Sequence, residues 1–280
     1  MATAEYAPSG FHDPKGIHLN GATIMTTPTD QHFRIARAAG YAGVEVRAER
    51  LLAAPRELRA AAAIVEPGEV WSLNGIQFQL LADGTLDRAR LAVEIAPRLE
   101  ICRALGAGYL LAVPPRTSGV DRGTAIVAMR DGLVIARDRA ADIGVRVAFE
   151  FLGFGDCPID TPALAGEVVA GIADVELVLD SCHWHASGSG SLDALPVERI
   201  AMVHLNDAPA KPPREIEDAD RLLPGEGIIR LAELVAVLHD RGYHGPWSLE
   251  TFNPRYWSKD PLRVARDGKA ALDRILGAEI

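Results

Sequence analysis

The chain has 280 residues, 48% of them hydrophobic and 24% charged, so it is long enough to bury a large core in one barrel or two smaller domains. Its formal net charge of −9 argues against binding to nucleic acid or to an anionic membrane. No run of about 18 apolar residues and no signal-type N-terminus occurs. We therefore expect a cytoplasmic protein that acts on a small molecule; a homo-oligomer is left open.

The N-terminal segment contains Pro8, Gly10 and Pro14, which predicts a flexible arm over residues 1–15 ahead of one domain over residues 16–280. Apolar runs predict eight strands, at residues 16–23, 41–47, 69–76, 109–113, 145–153, 175–180, 200–207 and 246–252. Helical spacing and terminal residues predict eight helices, at residues 29–39, 55–65, 85–106, 120–142, 161–171, 192–197, 231–241 and 261–276. Pro97 is expected to break or kink the third helix, and Asp160 to cap the fifth.

Strands and helices alternate eight times, and no linker divides the series. This pattern predicts the α/β class and a single-domain (β/α)8 TIM barrel. The alternative is a doubly wound open sheet, but no GxGxxG sequence follows the first predicted strand. The three cysteines, at 102, 157 and 182, form no paired spacing, so we expect them to be reduced.

Four apolar runs contain an ionisable residue at or near their C-terminal ends: Glu150, Asp180, His204 and Glu250. Burying an unpaired charge is costly, so such residues are normally paired, protonated or bound to a metal. In a barrel all C-terminal strand ends face one mouth, which would bring the four side chains together. Carboxylate oxygens with one imidazole suit a single Mn²⁺, Zn²⁺, Co²⁺ or Mg²⁺ ion. We therefore predict that the four residues are the ligands of one divalent metal.

Several segments resemble the xylose-isomerase-like barrel superfamily of sugar phosphate isomerases and epimerases, and within it most nearly the inosose isomerase (2-keto-myo-inositol isomerase) family. They are Ala148-Phe-Glu-Phe-Leu-Gly153, Leu177-Val-Leu-Asp-Ser-Cys-His-Trp-His-Ala-Ser-Gly188, His204-Leu-Asn-Asp207, Arg221-Leu-Leu-Pro-Gly-Glu-Gly-Ile228 and Ser248-Leu-Glu-Thr-Phe-Asn-Pro-Arg-Tyr-Trp257. The resemblance is most specific over residues 149–257. It implies a divalent ion on the same four ligands and a keto-sugar or inosose as substrate.

The resemblance implies an isomerase of a keto-polyol that works by proton transfer through a metal-held enediolate. Glu150 and Glu250 would act as general base and acid, and His183 would assist at a substrate oxygen. The family pattern has Arg where this chain has Asn253 and Glu where it has Arg255. Ketose 3-epimerases place an Arg where this chain has Ala210, which weighs against a ketohexose epimerase.

Other readings stay open at this point. An epimerase, a hydroxypyruvate-type isomerase, or a dehydratase acting on another keto-sugar or keto-glycoside would share the ligands and differ in the loops. A non-catalytic metal or sugar binder belongs to a different class of protein, and exchange of substrate protons with solvent would separate it from a catalyst.

Five further residues are predicted to bind substrate. Asn20 and Asn74 follow strand patterns, and an amide can both donate and accept hydrogen bonds. Trp184 could pack against a sugar ring, although plain packing is the competing account. Arg221 and Glu226 lie in the long, proline-rich segment 208–227, which we predict to cover the mouth; an ordinary surface pair is the alternative.

Overall fold

A computed structural model describes residues 16–277, and the predicted arm at residues 1–15 lies outside that part. Eight parallel strands pair in sequence order, and the last pairs with the first, so the sheet is a closed barrel. The strands are β1 Ile17–Asn20, β2 Gly43–Arg47, β3 Val70–Gln77, β4 Tyr109–Val113, β5 Arg146–Glu150, β6 Val175–Asp180, β7 Ile200–Leu205 and β8 Trp247–Leu249. The predicted single-domain TIM barrel is confirmed.

Helices connect the strands and cover the outside of the barrel. They are α1 Thr29–Ala39, α2 Ala48–Ala53, α3 Pro55–Ala62, α4 Arg88–Leu105, α5 Arg122–Ala141, α6 Pro162–Val169, α7 Ser181–Ala186, α8 Leu231–Asp240, α9 Pro254–Trp257 and α10 Pro261–Gly277. Between residues 16 and 277, none of these helices combines the length and apolar character needed to cross a membrane.

Two local predictions were wrong, and a third was wrong in part. The helix predicted at residues 192–197 does not form, and only a 3-10 turn follows, at Val197–Arg199. Pro97 does not break α4, because Pro97 and the Val93 carbonyl that loses its partner both lie on the exposed face; a kink at Pro97 stays a prediction. The cap of α6 is Thr161, whose hydroxyl accepts from the Leu164 N–H, while the neighbouring Asp160 pairs with arginines instead.

Alternation along each strand separates two buried regions. In β5 and β6, Val147, Phe149, Leu177 and Leu179 point outward and join the large core between sheet and helices. The intervening positions point into the barrel. Below the C-terminal ends of the strands, in what we call the lower barrel, seven inward side chains form a packed cluster: Trp71, Tyr109, Leu111, Ala148, Val178, Ala201 and Met202. Each large apolar side chain buried in this way stabilises the fold by about 1.5–3 kcal/mol. The packed lower barrel leaves the polar inward positions at the upper end.

Strand β3 contains an irregularity that depends on glycine. The register between β3 and β4 shifts between Asn74 and Ile76, and Gly75 lies at the shift. A Cβ atom at Gly75 would be 1.8 Å from the Leu111 carbonyl oxygen, so no other residue fits without separating the strands. The bulge places Asn74 at the upper barrel interior, where its side-chain oxygen lies 3.1 Å from Ser72 Oγ.

Candidate metal centre

Four side chains meet at the C-terminal ends of neighbouring strands. Glu150 and Asp180 are the last residues of β5 and β6, His204 lies in β7, and Glu250 directly follows β8. All four are buried, and one donor atom from each lies within 4.8 Å of the others. The structure therefore brings the predicted quartet together as a possible metal site.

The donor geometry suits one small ion. His204 Nδ1 lies 3.2 Å from both Glu150 Oε1 and Glu250 Oε2. Ligand distances to Zn²⁺ are about 2.0–2.2 Å, so two ligands of one tetrahedral ion stand roughly 3.4 Å apart. Register supports the arrangement, because Asp180 and His204 are direct partners across β6 and β7. The residues present thus fit a divalent ion.

The pKa values of the carboxylates indicate that the site would be stabilised by additional positive charge. Burial raises the pKa of Glu150 to about 7, with Glu250 and Asp180 adding repulsion while His204 opposes the rise. Burial likewise raises the pKa of Asp180, against the attraction of Arg221. Three carboxylates cannot all ionise cheaply in so small a buried volume. A divalent cation would hold all three in the ionised form that coordination requires.

At Glu250 and His204, unlike at Glu150, the surrounding charges stabilise the ionised form. Burial alone would raise the pKa of Glu250, but His204, Arg221 and Arg47 hold it well below its usual range. Burial alone would lower the pKa of His204, yet the carboxylates of Glu45, Glu250 and Glu150 hold it well above its ordinary value. The carboxylates therefore favour a protonated imidazole, whose positive charge offsets part of their negative charge.

Arg221 lies deep in the site and does not form part of a surface cover. Its side chain is 1% exposed, and its Nη1 donates to Asp180 Oδ2 at 3.0 Å and to Glu250 Oε2 at 2.9 Å. Its Nη2 lies 2.8 Å from Asp218 and 2.9 Å from His183 Nε2. The guanidinium orients two of the four candidate ligands and one further predicted site residue.

His183 must accept the hydrogen bond from Arg221, because a guanidinium has only donors. Its Nε2 is then unprotonated and its Nδ1 carries the proton. Burial and the positive charge of Arg221 hold the pKa of His183 well below its ordinary value, so the ring is neutral. Nδ1 is buried and makes no hydrogen bond within residues 16–277. His183 can therefore offer an N–H to a bound oxygen.

A cavity of about 420 Å³ opens beside the quartet. Glu150, Glu250, His183, Asn74 and Arg221 contribute to its wall, so catalytic and binding candidates share one space. Six apolar side chains and several polar ones complete the lining, among them Leu152, Phe154, Phe252, Arg47, Gln77, Arg98 and Arg116. A cavity of this volume with both polar and apolar walls suits a small polyhydroxylated ring.

Residues 33–275 match the sequence family described as the xylose isomerase-like TIM barrel. The chain belongs to this family. Its curated relatives include an inosose isomerase from Halalkalibacterium halodurans, 31% identical over 190 residues, which are 63% of this chain and 66% of that protein. The match therefore spans slightly less than two thirds of that relative's length. A 3-dehydroshikimate dehydratase from Pseudomonas aeruginosa is 32% identical over 266 residues, covering 90% of this chain and 40% of that protein.

A solved structure gives a neighbour for the whole barrel. It is described as the IolI protein with a binding zinc atom, and it aligns with a TM-score of 0.86 at 26% identity. The alignment covers 94% of this chain and 99% of that one. A zinc-binding neighbour of the same fold agrees with the metal-compatible donor set found here.

The remaining predicted residues of this xylose isomerase-like barrel fall into two groups. Asn20 is fully buried and donates to Glu250 Oε1 at 2.9 Å and to Glu45 Oε1 at 3.2 Å. It therefore helps to orient Glu250, one of the four candidate ligands. Trp184 and Glu226 are not among the residues that line the cavity. The Trp184 indole is buried and donates to the Gly190 carbonyl, and Glu226 accepts from the Tyr256 hydroxyl.

Sequence reasoning left one fully buried carboxylate unassigned. Glu45 lies on β2 inside the barrel and accepts hydrogen bonds from Ser72, Ser248 and Asn20, while His204 Nε2 lies 3.2 Å away. Its signal in the sequence was an acidic residue between Val44 and Val46, the same anomaly that identified the quartet. Only the closed barrel shows that it meets His204.

Proposed function

We propose that the protein is a divalent-metal-dependent isomerase of a ring-shaped polyol ketone, with 2-keto-myo-inositol as the first candidate substrate. The observation that carries the proposal is the buried quartet beside a cavity, in which Glu150 and Glu250 are both candidate ligands and wall residues. The matching inosose isomerases support the substrate class, and the zinc-binding neighbour supports Zn²⁺.

A divalent ion on these ligands would polarise a substrate ketone and acidify the proton on the adjacent carbon. Glu150 and Glu250 come from strands separated by two others, so their carboxylates approach a bound ring from different directions. One carboxylate removes the proton from the carbon that carries the adjacent hydroxyl, and the other delivers a proton to the former ketone carbon. The hydroxyl proton moves to the former ketone oxygen, so the ketone and the adjacent hydroxyl exchange places with no net loss of atoms.

Arg221 and His183 would hold the substrate oxygens during this transfer. The neutral His183 ring can donate through Nδ1, and Arg221 fixes that tautomer through its contact with Nε2. Leu152, Phe154 and Phe252 limit access of water to the ring. These residues account for binding and orientation without taking part in proton transfer.

A second candidate is a dehydratase acting on a cyclic hydroxy-ketone. One observation favours it: the match to 3-dehydroshikimate dehydratase covers 90% of this chain, more than the match to the inosose isomerase. The first step, removal of a proton next to a ketone, is the same. The reactions differ when the ring loses a hydroxide in place of regaining a proton.

Proton NMR in deuterated water tests both candidates. Zinc-loaded protein is incubated with 2-keto-myo-inositol and, separately, with 3-dehydroshikimate. An isomeric ketone that carries solvent deuterium supports the isomerase, and a product that has lost water supports the dehydratase. Metal-replete E150Q and E250Q variants should each lose at least about 100-fold in rate. Neither product, or full activity in both variants, would show that the proposed proton transfer is wrong.

A further inference from the structure

The starting observation is the environment of Glu45. This carboxylate is completely buried, lies outside the four candidate ligands and does not line the cavity. Three neutral side chains donate to it: Asn20 Nδ2 at 3.2 Å, Ser72 Oγ at 2.7 Å and Ser248 Oγ. Neutral donors do not neutralise a carboxylate, so Glu45 places a negative charge inside the barrel. The effect of this charge depends on the fourth neighbour.

The fourth neighbour is His204. Its two ring nitrogens face different partners: Nδ1 lies 3.2 Å from Glu150 and Glu250, and Nε2 lies 3.1 Å from Glu45 Oε1 and 3.2 Å from Oε2. A histidine that binds a metal ion must be neutral, so His204 would then carry only one ring proton, which a carboxylate can accept. If that proton sits on Nε2, the Nδ1 lone pair points at the other ligands.

We propose that Glu45 is a positioning residue that holds His204 as the Nε2–H tautomer and thereby directs Nδ1 to the metal. The proposal rests on the metal site of the proposed function and concerns the tautomer in which His204 binds the metal. Partners of this kind orient a ligating histidine and increase its basicity, and their loss typically costs 10–100-fold in metal affinity.

The hydrogen-bond pattern explains why a carboxylate is needed at this position. All four neighbours donate to Glu45, and two oxygens with about four lone-pair sites can accept all of them. A glutamine of the same size would place its NH₂ group at one of the two oxygen positions. A serine hydroxyl can turn and accept from that group, but a His204 ring protonated at Nε2 cannot, so the amide no longer favours this tautomer. Strands β1, β2, β3, β7 and β8 each supply one member, and the ring of His204 is therefore fixed by the closed barrel.

The wild-type protein gives the first test. Nitrogen-15 NMR of the zinc-loaded protein distinguishes a protonated from a metal-bound ring nitrogen, and comparison with H204N assigns the His204 signals. We expect Nε2 to carry the proton and Nδ1 to bind zinc. A spectrum with zinc on Nε2 overturns the proposal and leaves the proposed function standing, whereas failure of wild-type protein to bind zinc overturns both.

Zinc affinity, measured by competition with a chelator, gives the second test. E45Q should bind zinc 10–100-fold more weakly than wild type and show a mixture of His204 tautomers. The matched control is E176Q, the same substitution at an inward β6 position that pairs with Tyr109 and Arg146 at the other end of the barrel. E176Q should keep wild-type affinity. An E45Q variant with wild-type affinity and an unchanged spectrum would overturn the role of Glu45; if E45Q does not fold, the wild-type spectrum decides.

Discussion

At the scale of single residues, His32 links a buried hydrogen bond to acid stability. Its ring is 3% exposed, and Nε2 donates to the Leu19 carbonyl near the end of β1. Burial lowers the pKa of His32 from 6.5 to about 4, although this hydrogen bond and Glu45 oppose the shift. Between pH 4 and pH 6.5, His32 binds a proton in the unfolded chain but not in the folded protein. The contribution of His32 to the free energy of unfolding is therefore complete above pH 6.5 and declines as the pH falls toward 4.

We therefore expect H32Q to reduce the loss of stability between pH 6.5 and 4. The glutamine keeps a donor for Leu19 but cannot titrate, and the difference should be on the order of 3 kcal/mol across the window. Urea unfolding at a series of pH values measures it. The exposed His244 supplies the control H244Q, which should follow the wild type. Parallel curves for wild type and H32Q would refute the prediction.

Arg221 supports a second prediction at this scale. Its planar fork contacts Asp180, Glu250 and His183 at once, which the single nitrogen of lysine cannot reproduce. R221K keeps the charge but should lower kcat/KM for the identified ketone by on the order of 100-fold, because His183 and Glu250 lose their orientation. Steady-state kinetics with metal content measured in parallel provides the check. Unchanged kcat/KM in metal-replete R221K would remove Arg221 from the reaction.

The sequence predicted the quartet because each member interrupts an apolar strand, a feature visible without knowledge of the fold. It did not distinguish the role of Glu45, because the contact with His204 joins residues 159 positions apart and depends on closure of the barrel. Trp184 was ambiguous for a similar reason. An aromatic residue after a strand can line a cavity or fill the core, and the direction of its side chain depends on the short helix α7.

At the scale of elements, Asp207 holds the segment that carries Arg221. One carboxylate oxygen accepts from the Ala208 and Ile229 N–H groups, and the other accepts from the Gly225 and Gly227 N–H groups. The backbone of Asp207 also pairs with Leu222 in both directions. Four donors on one buried side chain fix both ends of the turn after Arg221, which keeps the guanidinium in the site.

We expect D207N to loosen this segment without dismantling the barrel. Its amide would direct an NH₂ group at two N–H donors, leaving buried groups unsatisfied at a cost of about 1–3 kcal/mol each. Hydrogen exchange should rise in residues 222–229, and kcat/KM for the identified ketone should fall with it. E215Q, at an exposed position of the same segment, is the control. Wild-type exchange in D207N would contradict this account.

Element predictions succeeded where apolar runs and periodicity were long. The bounds of β4 and β6 were predicted to the residue, and α1 and α8 to within one residue. Short helices were missed, since α7 has six residues and α9 four, too few to show a period. The error at Thr161 came from two adjacent cap residues that the sequence cannot rank, because arginines from other parts of the chain draw Asp160 away.

At the scale of the whole molecule, metal binding and stability should be coupled. An ion that binds only the folded chain stabilises it by RT ln(1 + [L]/Kd), which is about 4 kcal/mol at a thousandfold excess over Kd. Zinc should therefore raise Tm in the wild type, and a chelator should lower it. The double variant D180A/H204A should retain no stoichiometric zinc and show no such shift. Stoichiometric zinc in that variant would rule out the ligand assignment.

The barrel divides its site unequally between its two halves. All four candidate ligands lie at or just after the ends of β5–β8, whereas Asn74, Gln77 and Arg98, from the first half of the chain, line the cavity. Two other side chains of the first half approach the ligands: Glu45 lies 3.1 Å from His204, and Arg47 lies 3.7 Å from Glu250. Substitutions at the cavity-lining positions can therefore change the accepted substrate while Glu45, Arg47 and the second half keep the proton chemistry. In evolutionary terms, duplication followed by divergence of residues 74–113, which excludes Glu45, is a short route from one ring ketone to another. Transplanting that segment between relatives is the corresponding route for engineering.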